Sequence, residues 1–229
     1  MPMCEDDGVG AAIGQILGLA VAVAISPVPI IAVILMLFSK QATRNSVAFL
    51  VGWVGGLLCV GSVVLWLGLE ASDGGPSTAS GWVKIVIGLL FLVLAVKQWR
   101  GRPEHGEQAT MPAWMAAIDD FSAVKSFGIA VLLSAVNPKN LGLTIAAGAS
   151  IGASGLSGGD EVIVLLVFVL IASLGVAAPV VLNLVLGSKA EHALTDMKDW
   201  LTGNNATIMA VLLLVLGAKV LGDGISIVA

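Results

Sequence analysis

Two short motifs place polar residues and prolines in the middle of long apolar stretches. Asn137-Pro138-Lys139-Asn140 lies in the otherwise uncharged run from Ser126 to Ala149, and Ser26-Pro27-Val28-Pro29 interrupts the run from Val9 to Phe38. A proline inside a helix costs roughly 3 kcal/mol, and a lysine at the centre of a membrane helix costs about 2.5–3.5 kcal/mol. Both costs fall where the broken backbone and the ammonium face a polar cavity within the protein. The motifs therefore predict a polar site at mid-membrane.

The polar groups of the two motifs suit an anionic or strongly polar head group. Lys139 and the amino ends of the half-helices that follow the prolines favour negative charge. Ser26, Asn137 and Asn140 offer donors and acceptors to hydroxyl groups. The surrounding aliphatic residues would tolerate an acyl chain. The alternative is structural, with Lys139 held by the carbonyls of the broken helix and no substrate involved.

Two further residues have both a functional and a structural interpretation. Trp53 lies inside the second apolar stretch, in Gly52-Trp53-Val54-Gly55-Gly56, where it either lines a cavity or packs in the core. The small residues around it predict close helix packing. Asp120 precedes the fourth stretch, where it either guards the cytoplasmic mouth of the site or caps the helix.

The residues expected of an enzyme or a metal centre are missing from the apolar stretches. His105 and His192 lie in polar connections, and no paired carboxylate or nucleophile elbow lies in the interior of a stretch. Cys4 and Cys59 form neither a CxxC pair nor a metal-ligand spacing. No basic patch is large enough to suggest nucleic acid. We therefore expect no enzymatic activity, no metal or cofactor, and no nucleic-acid partner.

The composition is that of a membrane protein, because 58% of the 229 residues are hydrophobic and 11% are charged. A membrane helix needs about 20 apolar residues. Six stretches qualify, at about 10–39, 43–68, 81–99, 123–149, 160–186 and 203–224. They predict an all-α integral membrane protein with six transmembrane helices, the first and fourth broken at Ser-Pro and Asn-Pro. With Lys139 set aside, eight lysines and arginines lie in connections on one side of the membrane and two on the other. Because basic residues favour the cytoplasmic side, this division predicts that both termini lie outside.

The six stretches are expected to form a single membrane domain over 1–229. Repeat one covers about 9–100, a cytoplasmic connection covers about 100–122, and repeat two covers about 120–225. Because each half crosses the membrane three times, the second half enters from the opposite face and the repeats are inverted, as in alternating-access carriers. The last inner connection is expected at 187–203, with a surface helix over 190–201.

Taken together, these motifs resemble the glycopeptidolipid-addressing protein family, a branch of the lysine-exporter superfamily of six-span proteins found largely in actinobacteria. The similarity covers nearly the whole chain, and its most specific part is the Asn-Pro-Lys-Asn segment. It rests on Ser26 to Leu37, Phe49 to Trp53, Asp119-Asp120-Phe121, Asn137 to Leu141 and Trp200 to Asn205.

The resemblance implies a secondary transporter that exports or flips a lipid or glycolipid across the bacterial cytoplasmic membrane towards the cell envelope. The alternative is an exporter of a small polar solute such as an amino acid, because a fold does not define a substrate. A homo-oligomer or an envelope-biogenesis partner is compatible with the glycine-rich helix faces. The implied site comprises Ser26, Pro27, Pro29, Asn137, Pro138, Lys139 and Asn140.

Overall fold

The computed structural model describes residues 5–67, 78–102 and 113–229, and these residues form helices without any strand. The prediction of an all-α protein is confirmed for this part of the chain. Residues 103–112, the centre of the predicted cytoplasmic connection, lie outside the described residues. The α-helices are α1 (Glu5–Ala24), α2 (Pro27–Leu37), α3 (Ala42–Trp66), α4 (Thr78–Arg100), α5 (Ala123–Val131), α6 (Pro138–Gly152), α7 (Gly158–Leu186) and α8 (Glu191–Val228).

The helices group into two compact units. The first comprises residues 1–71 and 112–198, and within it α3 packs against α5, α6 and α7 while α1 packs against α6 and α7. The second comprises residues 72–111 and 199–229, which include α4 and most of α8. The division into repeats at 9–100 and 120–225 stays a prediction.

Several helices have the length and composition of membrane spans. Among the described residues, α3 and the segment Gly158–Val228 are long and apolar enough to cross a membrane. Two helix pairs qualify only when each is taken as one bent span, with bends of 52° between α1 and α2 and 61° between the α5 and α6 segments. The described chain thus holds between two and four candidate spans, and the plan of six spans in inverted repeats stays a prediction.

The first break follows from the chemistry of Ser26-Pro27. A proline disfavours helical geometry in the residue before it, and Ser26 is extended, with φ −95° and ψ 106°. Pro27 then occupies the first position of α2, where a missing N–H costs little because that group has no helical acceptor. The sequence therefore ends one helix and begins the next within two residues.

The second break has an additional feature, a π-helical turn over Leu132–Val136 between α5 and α6. The Asn137 N–H donates to the Leu132 carbonyl at 3.0 Å, one residue further back than in an α-helix. Asn137 then leaves the helical region with ψ 120°, and Pro138 begins α6. Single π turns inside helices occur frequently at functional sites.

Two glycines of α3 allow it to pack closely against the second broken span. A Cβ atom added at Gly52 would overlap the Phe127 carbonyl, and one added at Gly56 would overlap the Ser134 hydroxyl. The predicted close packing around Trp53 is therefore confirmed. Gly56 lies directly against the π-helical turn, so α3 supports the irregular backbone from one side.

Replacing Gly56 by valine is expected to lower the free energy of unfolding by about 1–3 kcal/mol or more, because the added carbons have no room beside Ser134. The neighbouring variant Gly55→Val is the matched control, since Gly55 is exposed and has no atom within 4 Å of an added Cβ. Chemical unfolding of both variants in detergent measures the difference. Equal stability of the two variants would contradict the packing described here.

The predicted connection at 187–203 is confirmed only in part, because the helix expected over 190–201 is present but continues into the last apolar stretch. Helix α7 ends at Gly187, which has a φ of +56° that favours glycine. A short 3-10 helix, Gly187–Ala190, follows, and then α8 runs without interruption for 38 residues, or about 57 Å. The Gly203-Asn204-Asn205 segment does not end it, because helix propensity is a weak determinant and the Asn204 side chain bonds back to the Trp200 carbonyl at 2.8 Å.

In the second unit, α4 and α8 pack against each other in opposite directions through glycines. Gly88 lies against Leu221, and Gly224 lies against Ile85 and the Gly81 carbonyl. Gly81 and Gly88 in α4 are seven residues apart, as are Gly217 and Gly224 in α8, so each pair lies on one helix face, two turns apart. Small residues at such positions let membrane helices approach closely.

Candidate functional site

The two helix breaks meet in the first unit. The Lys139 ammonium donates a hydrogen bond of 2.8 Å to the Ser26 hydroxyl, and that hydroxyl donates one of 3.1 Å to the Asn140 Oδ1. Ser26 and Asn140 are 114 residues apart in the chain. The structure therefore brings together the central polar residues of both motifs, which we call the Lys139 cluster (Ser26, Lys139 and Asn140).

Asn140 compensates for the backbone that the break disrupts. The Asn137 N–H bonds to Leu132 instead of Leu133, and Pro138 has no N–H to offer. The Leu133 carbonyl is thereby left without a helical donor, and the Asn140 Nδ2 donates to it at 2.9 Å. With its Oδ1 bound by Ser26, this buried amide is satisfied on both sides. Asn140 thus links the two breaks and stabilises one of them.

Asn137 and the prolines shape the site rather than complete the hydrogen-bonded cluster. The Asn137 Oδ1 accepts a hydrogen bond of 3.1 Å from the Lys139 backbone N–H, which caps α6. Pro27 and Pro29 are buried in the first turn of α2, and Pro138 is exposed at the start of α6. These four residues determine where α2 and α6 begin.

The electrostatics of the cluster favour an anion. Helices α2 and α6 both begin at the breaks, and neither has an acidic residue in its first turn, so the positive ends of two helix dipoles are not neutralised there. Lys139 is half-buried and forms no ion pair with any carboxylate that the structure describes. An ammonium has three N–H donors, and Ser26 takes one. Two donors remain for an anionic ligand.

The comparison with protein families identifies the chain. The model of the Sap, sulfolipid-1-addressing protein, family matches residues 16–226. The chain belongs to this family. No curated protein and no solved structure matches it significantly.

Membership in the sulfolipid-1-addressing family confirms the expectation of a lipid-addressing membrane protein. The match includes both helix breaks and the whole Lys139 cluster. The family match does not test the resemblance to the glycopeptidolipid-addressing branch or to the lysine-exporter superfamily, and both stay predictions.

In this member of the family, Trp53 lies in the core of the first unit. Its side chain has no exposed surface, as the packing interpretation predicts. Its indole N–H has no hydrogen-bond partner among the residues that the structure describes. The adjacent Gly52 contacts the second broken span, so Trp53 is part of the support behind the site.

Asp120 takes no part in the hydrogen bonds described for the Lys139 cluster. It is exposed at the end of the 3-10 helix Ala113–Asp120. The capping interpretation of Asp120 is wrong, because Ser122 is the N-cap of α5 and its hydroxyl accepts from the Lys125 N–H at 3.4 Å. The extended backbone of Ser122 places that hydroxyl at the helix end. The interpretation of Asp120 as a residue at the cytoplasmic mouth stays a prediction.

Sequence reasoning did not identify Asn45, Leu133 and Thr144. The fully buried Asn45 donates from Nδ2 to the Phe121 carbonyl at 2.8 Å, which joins the start of α3 to the segment before α5. Thr144 is also fully buried and donates to the Asn140 carbonyl at 2.8 Å. An asparagine near a helix end is ordinarily exposed. Only the tertiary contacts distinguish Asn45 from such residues.

Proposed function

We propose that the protein is a secondary transporter that moves an anionic glycolipid across the cytoplasmic membrane of a bacterium, towards the cell envelope. The observation that carries the proposal is the Lys139 ammonium, which lies between two helix breaks with no carboxylate partner among the described residues. Intramembrane ionisable residues usually mark substrate pathways. The family name adds a sulfolipid as the substrate of its namesake.

The Lys139 cluster would bind the anionic part of the head group, such as a sulfate ester. Its two remaining N–H donors match the oxygens of a sulfate, and hydrogen bonds to charged groups contribute about 1.5–3 kcal/mol each. The first turns of α2 and α6 would add their dipoles. The acyl chains would stay against the apolar helix faces that border lipid.

The hydrogen bonds within the cluster suggest how the site would open. Ser26 belongs to the first broken span and Asn140 to the second, so their bond closes the gap between the breaks. An anion that binds Lys139 would compete with the Ser26 hydroxyl for the ammonium and weaken this closure. We infer that substrate binding and opening are coupled in this way during alternating access.

The remaining parts of the proposal concern topology and energy. We infer six spans from the six apolar stretches and inverted repeats from three crossings in each half. The charge distribution favours both termini outside, which would place Asp120 near the cytoplasmic mouth. The sequence contains no nucleotide-binding loop. We therefore propose that the carrier is driven by an ion gradient or by the lipid gradient.

Leaflet exchange in liposomes tests the proposal. The purified protein is reconstituted with a fluorescent sulfated glycolipid, or with the same glycolipid lacking the sulfate, and exchange is followed with and without a pH gradient. We expect protein-dependent exchange of the sulfated lipid to be about 10-fold faster, which corresponds to about 1.4 kcal/mol. Equal rates for both lipids would refute the anion site. Export of an amino acid without lipid exchange would instead support the small-solute alternative.

A further inference from the structure

A groove between the end of α3 and the start of α7 lies within the first unit, outside the Lys139 cluster. Its volume is about 310 Å³, at the lower end of the range for ligand pockets. Ser62 and Trp66 from α3 and Glu161 from α7 line it together with apolar residues. The leucines that form its walls are Leu58, Leu65, Leu165 and Leu166.

Two polar side chains of the groove, Ser62 and Glu161, have no polar partner in the part of the chain that the structure describes. The Trp66 side chain is 83% exposed. By contrast, the neighbouring Asp160 carboxylate already accepts a hydrogen bond of 2.7 Å from Ser157. Glu161 is thus the acidic group that is available in this groove.

The position of the groove along α3 corresponds to one membrane interface. Gly56 contacts Ser134 beside the second break, and Trp66 lies ten residues further along the helix, which is about 15 Å. This is half of the hydrocarbon thickness of about 30 Å. If the breaks lie at mid-membrane, Trp66 lies at a membrane surface, where tryptophan is enriched. In the proposed topology this is the outer surface.

This combination of groups matches a sugar linked to an acyl chain. Sugar hydroxyls donate to a carboxylate and exchange hydrogen bonds with a serine, and the apolar face of a sugar ring packs on an exposed indole. The leucine walls accommodate the first part of an acyl chain. A phosphate or sulfate group would be repelled by Glu161, so the groove disfavours the anionic part of a lipid.

We propose that this groove binds the uncharged sugar of a glycolipid at the outer leaflet, with its acyl chain along the leucine walls. The inference rests on the proposed function, because it assigns the neutral sugar of the transported lipid to a second place on the path. The anion and the sugar would be recognised at separate sites, by Lys139 and by Glu161. Specificity for a glycolipid over a phospholipid would then come from the groove.

Quenching of Trp66 fluorescence by lipids with brominated acyl chains tests the inference. The full-length protein in phosphatidylcholine nanodiscs receives equal mole fractions of either brominated diglucosyl diacylglycerol or brominated phosphatidylglycerol. The fluorescence of Trp66 is obtained by subtracting the emission of Trp66→Phe from that of the wild type. We expect the glycolipid to quench this fluorescence at least about twofold more than the phospholipid. The excess should disappear in the double variant Ser62→Ala/Glu161→Ala and remain in Asp160→Ala.

Equal quenching by both lipids in the wild type, or an excess that persists in the double variant, would overturn the inference. Circular dichroism and thermal unfolding establish that each variant is folded. Leaflet exchange of the sulfated glycolipid, measured on the same preparations, separates the two proposals. Selective quenching without exchange would refute transport alone, and exchange without selective quenching would refute the groove alone.

Discussion

Replacement of Lys139 by alanine is expected to reduce leaflet exchange of a sulfated glycolipid by about 10- to 100-fold. The expected size follows from the loss of one charge-assisted hydrogen bond to the anion, of about 1.5–3 kcal/mol. Lys139→Arg should retain a larger part of the exchange, because the guanidinium keeps the charge and the donors. The measurement is the initial rate of exchange in liposomes at equal protein content.

The stability of Lys139→Ala distinguishes a substrate site from a structural lysine. The half-buried ammonium has no carboxylate partner in the described structure, and Ser26 keeps its bond to Asn140 without it. We therefore expect the variant to unfold at the same or a higher temperature than the wild type. Lys40→Ala, at an exposed lysine outside the cluster, is the matched control and should leave exchange unchanged. Wild-type exchange in Lys139→Ala would refute the assigned role.

Asn140→Leu is expected to have the second-largest effect, and here the loss is one of stability as well as exchange. The leucine would leave the partly buried Leu133 carbonyl without its donor and the buried Ser26 hydroxyl without its acceptor. Each unsatisfied buried group costs about 1–3 kcal/mol. The free energy of unfolding should therefore fall by about 2–5 kcal/mol. Chemical unfolding in detergent measures this difference.

Asn140→Asp adds a negative charge and keeps the acceptor for Ser26, although it removes the donor to the Leu133 carbonyl as Asn140→Leu does. The carboxylate still accepts from Ser26, and it supplies the neighbouring Lys139 with the counter-charge that is missing in the described wild-type structure. A negative charge that shares the Ser26 hydroxyl with Lys139 stabilises the ammonium and competes with an anionic substrate. We expect exchange of the sulfated lipid to fall by about 10-fold, or about 1.4 kcal/mol. Undiminished exchange in Asn140→Asp would show that Lys139 does not bind an anion.

The two hydrogen bonds of the Ser26 hydroxyl bear on how the site opens. Ser26 is the meeting point of Lys139 and Asn140, and its hydroxyl acts as acceptor to one and donor to the other. A substrate that draws the ammonium away leaves the Ser26–Asn140 bond as the remaining direct link in the cluster. The strength of this single link, typically 0.5–1.5 kcal/mol, is small enough for an alternating-access cycle.

Local structure around the breaks could be predicted from the sequence, because it depends on properties of single residues. Proline has no N–H and constrains the residue before it, so Ser26-Pro27 and Asn137-Pro138 are favoured points of interruption, although Pro179 lies inside α7 without ending it. The long apolar stretches predict the helices that the structure describes, since a membrane helix satisfies its own backbone. The glycines around Trp53 likewise predict close packing, which the contacts of Gly52 and Gly56 confirm.

The tertiary structure alone decided which polar groups meet and what they do. The bond between Ser26 and Lys139 joins residues 113 positions apart, and it depends on how α1, α2, α5 and α6 pack, which no local pattern specifies. The same holds for Asn140, whose amide replaces the backbone donor missing at Leu133. The continuity of α8 through Gly203-Asn204-Asn205 is a further case, because local propensity is weak and hydrogen bonding along the helix prevails. Single residues thus favour the positions at which this chain breaks, and long-range packing determines that the two breaks form one site.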